Sequence, residues 1–225
     1  MRVVHAGGVE GARTARGTVV VIDVLRAFTV SAYALAAGAS SCRLVRDVSE
    51  ARALADRIPG SVLSAEVGGL PVPGIPISNS PTQVREVDLA GRVLIQRTSA
   101  GTQSVAAAGC ADRLLVASLV VASATVRAIA AGRPELVTLV ASRPDHEEDQ
   151  ACAAYLEALL QGEAPQLEVL LTPLLQGERY GRLASGTTPG FPTSDLELAL
   201  VADRFDFAMP VGLDPLGLVV HRLPD

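Results

Sequence analysis

The chain has 225 residues, of which 49% are hydrophobic and only 3% aromatic, so its core is built mainly from Ala, Val, Leu and Ile. The formal net charge of −5 argues against nucleic acid or an anionic membrane as the main partner. The chain contains no lysine, which excludes Schiff-base chemistry and a Walker-type phosphate loop.

The three cysteines, Cys42, Cys110 and Cys152, are odd in number and form no C-x-x-C pair, so the sequence favours neither a disulfide framework nor a zinc site. The sequence shows no basic region followed by an apolar region, the pattern of a secretory signal peptide. Its longest apolar stretch, residues 114–126, is shorter than a membrane span. These features predict a cytoplasmic protein without a membrane partner.

Strands and helices alternate along the sequence, as shown by apolar runs, capping residues and glycine or proline stops. The predicted strands are Arg2–His5, Thr18–Val24, Ser41–Val45, Val62–Ala65, Val93–Gln96, Leu114–Ala117, Leu136–Ala141, Phe207–Val211 and Leu218–Val220. The predicted helices are Ala27–Ala37, Ser49–Ile58, Gly101–Ala108, Ala122–Ala131, Glu147–Leu160 and Leu196–Ala202. Residues 6–17 are predicted to be a glycine-rich connection, residues 68–81 a long irregular loop, and residues 162–190 short helical pieces between glycine turns. The alternation predicts one domain over residues 1–225, undivided or in two lobes, folded as a three-layer α/β/α sandwich around a largely parallel or mixed sheet.

The most informative segment is the apolar run Val19–Ile22, which ends at Asp23 and is followed by Arg26. An apolar run without alternation is typical of a strand buried on both faces, and ligands in such sheets bind beyond the carboxyl ends of the strands. A carboxylate there can hold a divalent metal or attack phosphorus, and a guanidinium can bind two phosphate oxygens. Alternatively, Asp23 caps the following helix and Arg26 pairs with it.

Polar residues also follow other predicted strands, which strengthens the functional interpretation. Glu66 follows the Val62 strand, and Glu148 and Asp149 lie in the first helical turn after the Leu136 strand. Hydroxyl residues and a glycine follow the Val93 strand, namely Thr98, Ser99, Gly101 and Thr102. Carboxylates that converge at one sheet edge repel one another unless a cation neutralises them, and oxygen ligands alone favour Mg²⁺ over zinc.

Each of these residues also has an ordinary structural explanation. Acidic residues are favoured in the first turn of any helix, which accounts for Glu148 and Asp149 individually. Thr98 and Ser99 are common N-cap residues, and Glu66 can cap the glycine loop that follows it. The coincidence of several such groups at strand ends is therefore more informative than any one of them.

Together, these segments resemble the 2-phosphosulfolactate phosphatase family. The family pattern I-D-V-L-R-A is intact at Ile22–Ala27. The family's glycine and N-S-P loop corresponds to Ala65–Gly69 followed by Gly74–Pro81, its T-T-N-G-T turn corresponds to Thr98–Thr102, and its late E-D pair corresponds to residues 148–149. The resemblance implies a Mg²⁺-dependent acid phosphatase that removes phosphate from 2-phospho-3-sulfolactate.

The chain departs from the family pattern at several positions. Val67 replaces an arginine, Pro76 an aspartate and Ala100 an asparagine. Val67 and Ala100 cannot donate the side-chain hydrogen bonds that an arginine and an asparagine would donate. We therefore expect the sulfonate to be no better as a substrate than simpler phosphorylated hydroxy acids such as phospholactate.

The sequence thus predicts a Mg²⁺-dependent phosphatase for a small acidic phosphorylated metabolite. Asp23 is the nucleophile or the main Mg²⁺ ligand, and Arg26 binds the phosphate. The other predicted metal ligands are Glu66, Glu148 and Asp149, and the predicted substrate-binding residues are Asn79, Ser80, Thr98, Ser99, Gly101 and Thr102. A haloacid dehalogenase-type phosphatase is disfavoured because Leu25 stands where that class needs a second aspartate. The alternatives left open are a non-catalytic binding protein for an anionic metabolite and, from the apolar composition, a homodimer.

Overall fold

The computed structural model of the protein describes residues 1–224 and contains one mixed eleven-stranded sheet with helices on both sides. The strands are β1 (Arg2–Gly7), β2 (Thr18–Ile22), β3 (Ser41–Val45), β4 (Val62–Val67), β5 (Leu70–Pro71), β6 (Val93–Arg97), β7 (Arg113–Ala117), β8 (Leu136–Ala141), β9 (Phe207–Asp214), β10 (Gly217–Val220) and β11 (Leu223–Pro224). The helices are α1 (Gly8–Thr14), α2 (Ala27–Ala36), α3 (Val48–Arg57), α4 (Pro81–Val84), α5 (Gly101–Ala107), α6 (Ala122–Ala131), α7 (Glu147–Leu160), α8 (Leu167–Gln176), α9 (Glu178–Ala184) and α10 (Ser194–Ala199), with a 3₁₀ turn at Leu119–Val121.

Two parallel blocks of strands make up most of the sheet. The strand order is β1-β8-β2-β7-β9-β10-β3-β6-β4-β5, and β11 pairs with β9. The strands β1, β8, β2 and β7 are mutually parallel, as are β3, β6 and β4. The hairpin β9–β10 joins the blocks by antiparallel pairing on both sides, so strand direction reverses between them.

Strand β2 is buried on both faces, as its unbroken apolar sequence predicts. Val19 and Val21 pack into the core that contains α2, whereas Val20 and Ile22 pack into the core formed with α6 and α7. Successive side chains of a strand point to opposite faces, so this run fixes β2 between two helical layers. The α/β fold class predicted from the sequence is confirmed.

One local prediction is wrong. Residues 6–17 are not an irregular connection, because β1 extends to Gly7 and α1 occupies Gly8–Thr14. Ala12 is fully buried in this helix, and α1 packs against α5. The glycines that flank and interrupt the segment lower its helix propensity, and tertiary packing of Ala12 overrides that preference.

Helices α8, α9 and α10 follow α7 in the chain. Leu171 and Leu174 of α8 pack into the α6–α7 core, and Leu183 of α9 joins a small cluster with Phe191 and Leu196. This cluster fixes α9 and the following loop beside the end of β2, because Leu25 packs against it.

Gly17, which precedes β2, provides a test of this packing. Its φ is +73°, and a Cβ atom there would overlap the carbonyl oxygen of Leu136. We expect Gly17→Ala to lower the free energy of unfolding by about 3 kcal/mol, at the upper end of ordinary substitutions, as measured by urea-induced unfolding.

The matched control is Gly60→Ala, because Gly60 has a φ of +80° but no atom within 4 Å of the added Cβ. This control should show only the cost of the left-handed backbone, about 1 kcal/mol. Equal losses in the two variants would contradict the close approach of residue 17 to β8.

Candidate active site

Asp23 lies at the carboxyl end of β2 and is 5% exposed. Its Oδ1 accepts a hydrogen bond from the Ala27 N–H at 2.9 Å, and its Oδ2 accepts one from the Ser142 hydroxyl at 2.9 Å. The carboxylate therefore also satisfies the first N–H of α2, as part of the structural alternative predicted. The other part of that alternative is wrong, because Arg26 pairs with Asp195 and not with Asp23. Burial raises the pKa of Asp23, aided by the charges of Glu148 and Glu66 and opposed by these two hydrogen bonds.

Asp149 lies behind Asp23, in the first turn of α7. It accepts hydrogen bonds from Val24 N–H at 2.8 Å, from Arg143 N–H at 3.2 Å and from the Ser142 hydroxyl at 3.2 Å. Ser142 has one hydroxyl proton for two carboxylates, so it cannot satisfy both at once. Burial, with the nearby charges of Asp23 and Glu148, raises the pKa of Asp149 well above its ordinary value.

Glu148 is fully buried and engages Arg179 of α9. The Arg179 guanidinium donates to Oε2 at 2.5 Å, and His146 Nδ1 lies 3.4 Å from Oε1. Burial acts to raise the pKa of Glu148, but His146 and Arg179 outweigh burial and hold the pKa below its ordinary value. Glu148 therefore positions Arg179.

Glu66 ends the buried part of β4 and binds the glycine turn that follows. Its carboxylate accepts from Gly69 N–H at 2.6 Å, from the Ser99 hydroxyl at 2.9 Å and from Ser99 N–H. Glu66 thus links the end of β4 to the end of β6. It also caps the glycine turn that follows β4, which is the structural alternative given for it in the sequence analysis. Its side chain lines the same cleft as Asp23.

Arg26 is buried in an internal network. Its guanidinium donates to Asp195 Oδ2 and to the Gly190 carbonyl, both at 2.7 Å, and to the Ser78 carbonyl at 3.3 Å. The guanidinium carbon also lies 4.4 Å from the centre of the Phe191 ring. Burial lowers the pKa of Arg26, and Asp195 acts in the opposite direction.

Asp195, in the first turn of α10, is fully buried and was missed by the sequence analysis. Besides Arg26, it binds the Ser80 hydroxyl at 2.8 Å and Thr82 N–H at 3.0 Å. Acidic residues are common in the first turn of any helix, so the sequence does not distinguish Asp195 from an acidic residue that has no buried arginine partner.

The predicted substrate-binding residues separate into three groups. Asn79 and Ser99 line the cleft. Gly101 packs so closely on Asp23 that an added Cβ would lie 2.7 Å from Asp23 Oδ2. The hydroxyls of the remaining three residues serve internal hydrogen bonds: Ser80 binds Asp195, whereas Thr98 and Thr102 bind each other at the start of α5.

The cleft has a volume of about 290 Å³ and is lined by both cationic and anionic side chains. Its polar floor contains Asp23 and Glu66, and part of its wall is formed by Phe191. Four arginines and one histidine line it, namely Arg26, Arg143, Arg179, Arg182 and His146. Of these, the sequence analysis had identified only Arg26 as a site residue.

Two of the four predicted metal ligands face this cleft. Among residues 1–224, no group of three or more His, Cys, Asp or Glu side chains is arranged to hold a metal ion. Asp23 and Glu66 line the cleft, however, and Mg²⁺ is commonly bound by one or two carboxylates together with water and substrate phosphate oxygens. The donor chemistry therefore fits Mg²⁺ at Asp23 and Glu66, whereas Glu148 and Asp149 do not line the cleft.

The fold and the cleft define an α/β protein with a compact cleft that is lined by arginines and carboxylates. The sequence profile of the 2-phosphosulpholactate phosphatase family matches residues 6–186, so the chain belongs to this family. It is 35% identical over 145 residues to a probable 2-phosphosulfolactate phosphatase of Bacillus subtilis, covering 64% of each chain. A relative of the same name from Thermoplasma volcanium is 29% identical over 189 residues, covering 83% of this chain and 85% of the relative.

The alignments with several relatives are partial. A probable 2-phosphosulfolactate phosphatase of Carboxydothermus hydrogenoformans is 38% identical over 145 residues, which covers 63% of this chain and 60% of the relative. The chain thus spans less than two thirds of the length of the Bacillus and Carboxydothermus proteins. No helix within residues 1–224 has the length and apolar character needed to cross a membrane.

The buried Arg26–Asp195 pair predicts a large effect on stability. Asp195→Asn should lower the free energy of unfolding by about 3 kcal/mol, because it leaves a buried guanidinium without its counter-charge. The change is measured by urea-induced unfolding. The control is Glu10→Gln, which breaks a surface pair with Arg13 whose side chains are 77% and 61% exposed, and which should leave the urea midpoint unchanged. Similar shifts of the urea midpoint in both variants would contradict the role of Asp195 as the buried counter-charge of Arg26.

The raised pKa of Asp23 predicts that Asp23→Asn stabilises the protein at pH 7 in the presence of EDTA. Asparagine keeps the acceptor for Ala27 N–H and removes a buried charge. A carboxyl group whose pKa is raised on folding destabilises the folded state at a pH above that raised value. The cost disappears below the ordinary value of 3.8, where both states are protonated.

The melting temperature of Asp23→Asn should therefore exceed that of the wild type at pH 7, and the difference should vanish as the pH falls below 3.8. Thermal unfolding across this pH range measures it. A variant less stable than the wild type at pH 7 would contradict the account of Asp23.

Proposed function

We propose that the protein is a Mg²⁺-dependent phosphatase for a small acidic phosphate ester, with 2-phosphosulfolactate or a related phosphorylated 2-hydroxy acid as substrate. The observation that carries the proposal is the juxtaposition of a desolvated carboxylate, Asp23, with four arginines in one cleft of about 290 Å³. The relatives' names and the family profile support the same activity.

In this proposal, the phosphoryl group lies against Asp23 at the floor of the cleft. Asp23 and Glu66 would hold Mg²⁺, which when bound neutralises their charge and polarises a phosphoryl oxygen. Arg179, fixed by Glu148 at 2.5 Å, would donate hydrogen bonds from its other N–H groups to the remaining oxygens. Asn79 would orient the ester from the loop side.

Arg26 has a different part in this proposal from the one predicted. Two guanidinium nitrogens already donate to Asp195, Gly190 and Ser78. Its main contribution is therefore to fix the Ser78–Ser80 loop and the Gly190 loop around the cleft, and its charge adds to the positive potential there.

Phosphate release from 2-phosphosulfolactate and phospholactate tests the proposal. We expect activity with Mg²⁺, its loss in EDTA and its recovery when Mg²⁺ is added back. Asp23→Asn should lower kcat by on the order of a hundredfold or more, because several kcal/mol of transition-state stabilisation are lost. Asp56→Asn, an exposed aspartate on α3, is the matched control and should retain wild-type kcat.

The alternative outcomes are distinct. Activity that persists in EDTA would contradict the metal requirement, and full activity of Asp23→Asn would contradict the role of Asp23. Binding of these esters without phosphate release would favour the binding-protein hypothesis. Acid quenching during turnover separates the two roles of Asp23, since a phosphorylated peptide containing residue 23 identifies it as the nucleophile.

A further inference from the structure

The arginines of the cleft fall into two electrostatic classes. Arg26 is paired with buried Asp195 at 2.7 Å, and Arg179 is paired with buried Glu148 at 2.5 Å. The charges of these two arginines are balanced within the protein. They cannot rotate away without leaving a buried carboxylate unpaired, so they form a fixed part of the cleft.

Arg143 and Arg182 belong to the second class. Both are exposed and line the cleft, and within residues 1–224 neither guanidinium has a hydrogen-bond or ion-pair partner. Arg143 lies in the connection between β8 and α7, whereas Arg182 lies on α9, so they approach the cleft from different elements. With Mg²⁺ held by Asp23 and Glu66 as proposed, these two arginines would give the cleft a net positive charge.

The shape of the cleft limits the ligand. A volume of about 290 Å³ is at the low end of ligand pockets and suits a metabolite of a few carbon atoms. Leu25, Leu183 and Phe191 form an apolar part of the lining, which suits a short carbon skeleton between charged ends.

We propose that Arg143 and Arg182 form a second anion subsite, which binds the acidic group of the substrate that is not hydrolysed. This inference rests on the proposed phosphatase function, in which the phosphoryl group lies at Asp23. The anion is a carboxylate or a sulfonate, since a guanidinium can donate two parallel hydrogen bonds to either. Esters with this additional anion are therefore better substrates than esters of neutral alcohols.

The subsite also accounts for two departures from the family pattern. Val67 is 49% exposed and offers no donor, and Ala100 lines the cleft without a polar side chain. The side-chain donors that these positions lack are supplied in this proposal by Arg143 and Arg182. The donors for the second anion thus come from the β8–α7 connection and α9 instead of from positions 67 and 100.

The test compares three phosphate esters: 2-phosphosulfolactate, phospholactate and isopropyl phosphate, which has no second anion. Arg143→Gln and Arg182→Gln should each lower kcat/KM for at least one of the acidic esters by about tenfold or more, the effect of losing a charged hydrogen bond. Their kcat/KM for isopropyl phosphate should change less than twofold. A loss on both acidic esters identifies the carboxylate, which both carry, whereas a loss confined to 2-phosphosulfolactate identifies the sulfonate.

The matched control is Arg57→Gln, which removes an exposed arginine of α3 that does not line the cleft and should leave all three kcat/KM values unchanged. Equal losses on all three esters, or no loss on either acidic ester, would overturn the subsite.

Calorimetric titration with 3-sulfolactate and lactate separates this inference from the proposed function. If the wild type releases phosphate from none of the esters, the proposed function fails, but binding can still be measured. Wild-type binding of one of these acids that weakens about tenfold in Arg143→Gln and Arg182→Gln, but not in Arg57→Gln, would support the subsite. Binding that is absent or unaffected by the two substitutions would overturn it.

Discussion

The burial of Asp23 at the end of β2 is the constraint on which the rest of the site depends. The strand that delivers it is packed on both faces, so the carboxylate has little access to water. Asp149 lies beside it, and Ser142 provides a single hydroxyl proton between the two. The folded chain thus holds a carboxyl group that is unfavourable to ionise without a compensating positive charge, which is a property of many functional sites.

The surrounding charges are arranged in layers. Glu148 and Asp195 are fully buried, and each binds an arginine that faces the cleft, so the inner positive charges are fixed by acids behind them. The outer pair, Arg143 and Arg182, has no such acid among residues 1–224. In the proposed function, a trianionic or tetraanionic ester would thus meet several arginines in one cleft of a chain whose net charge is negative.

The sequence predicted the centre of the site better than its rim. The place of Asp23 in the cleft could be predicted because an unbroken apolar run is typical of a buried strand, and ligands bind beyond the carboxyl end of such a strand. Arg182 and Asp195 were missed because short helices of weak periodicity carry them, and only tertiary packing brings these helices to β2. Thr98 was assigned to the substrate although its hydroxyl binds Thr102, because a cap and a ligand site share the same residue types.

The pKa of Asp23, followed through its carboxyl ¹³C resonance with and without Mg²⁺, is the most direct test of the central claim. The Asp23→Asn variant assigns the signal. The account predicts a pKa above 3.8 in EDTA, because burial penalises the charged form, and a marked decrease when Mg²⁺ is added. A pKa at or below 3.8 in EDTA, or one that Mg²⁺ leaves unchanged, would contradict the proposal that Asp23 is a desolvated carboxylate and a Mg²⁺ ligand.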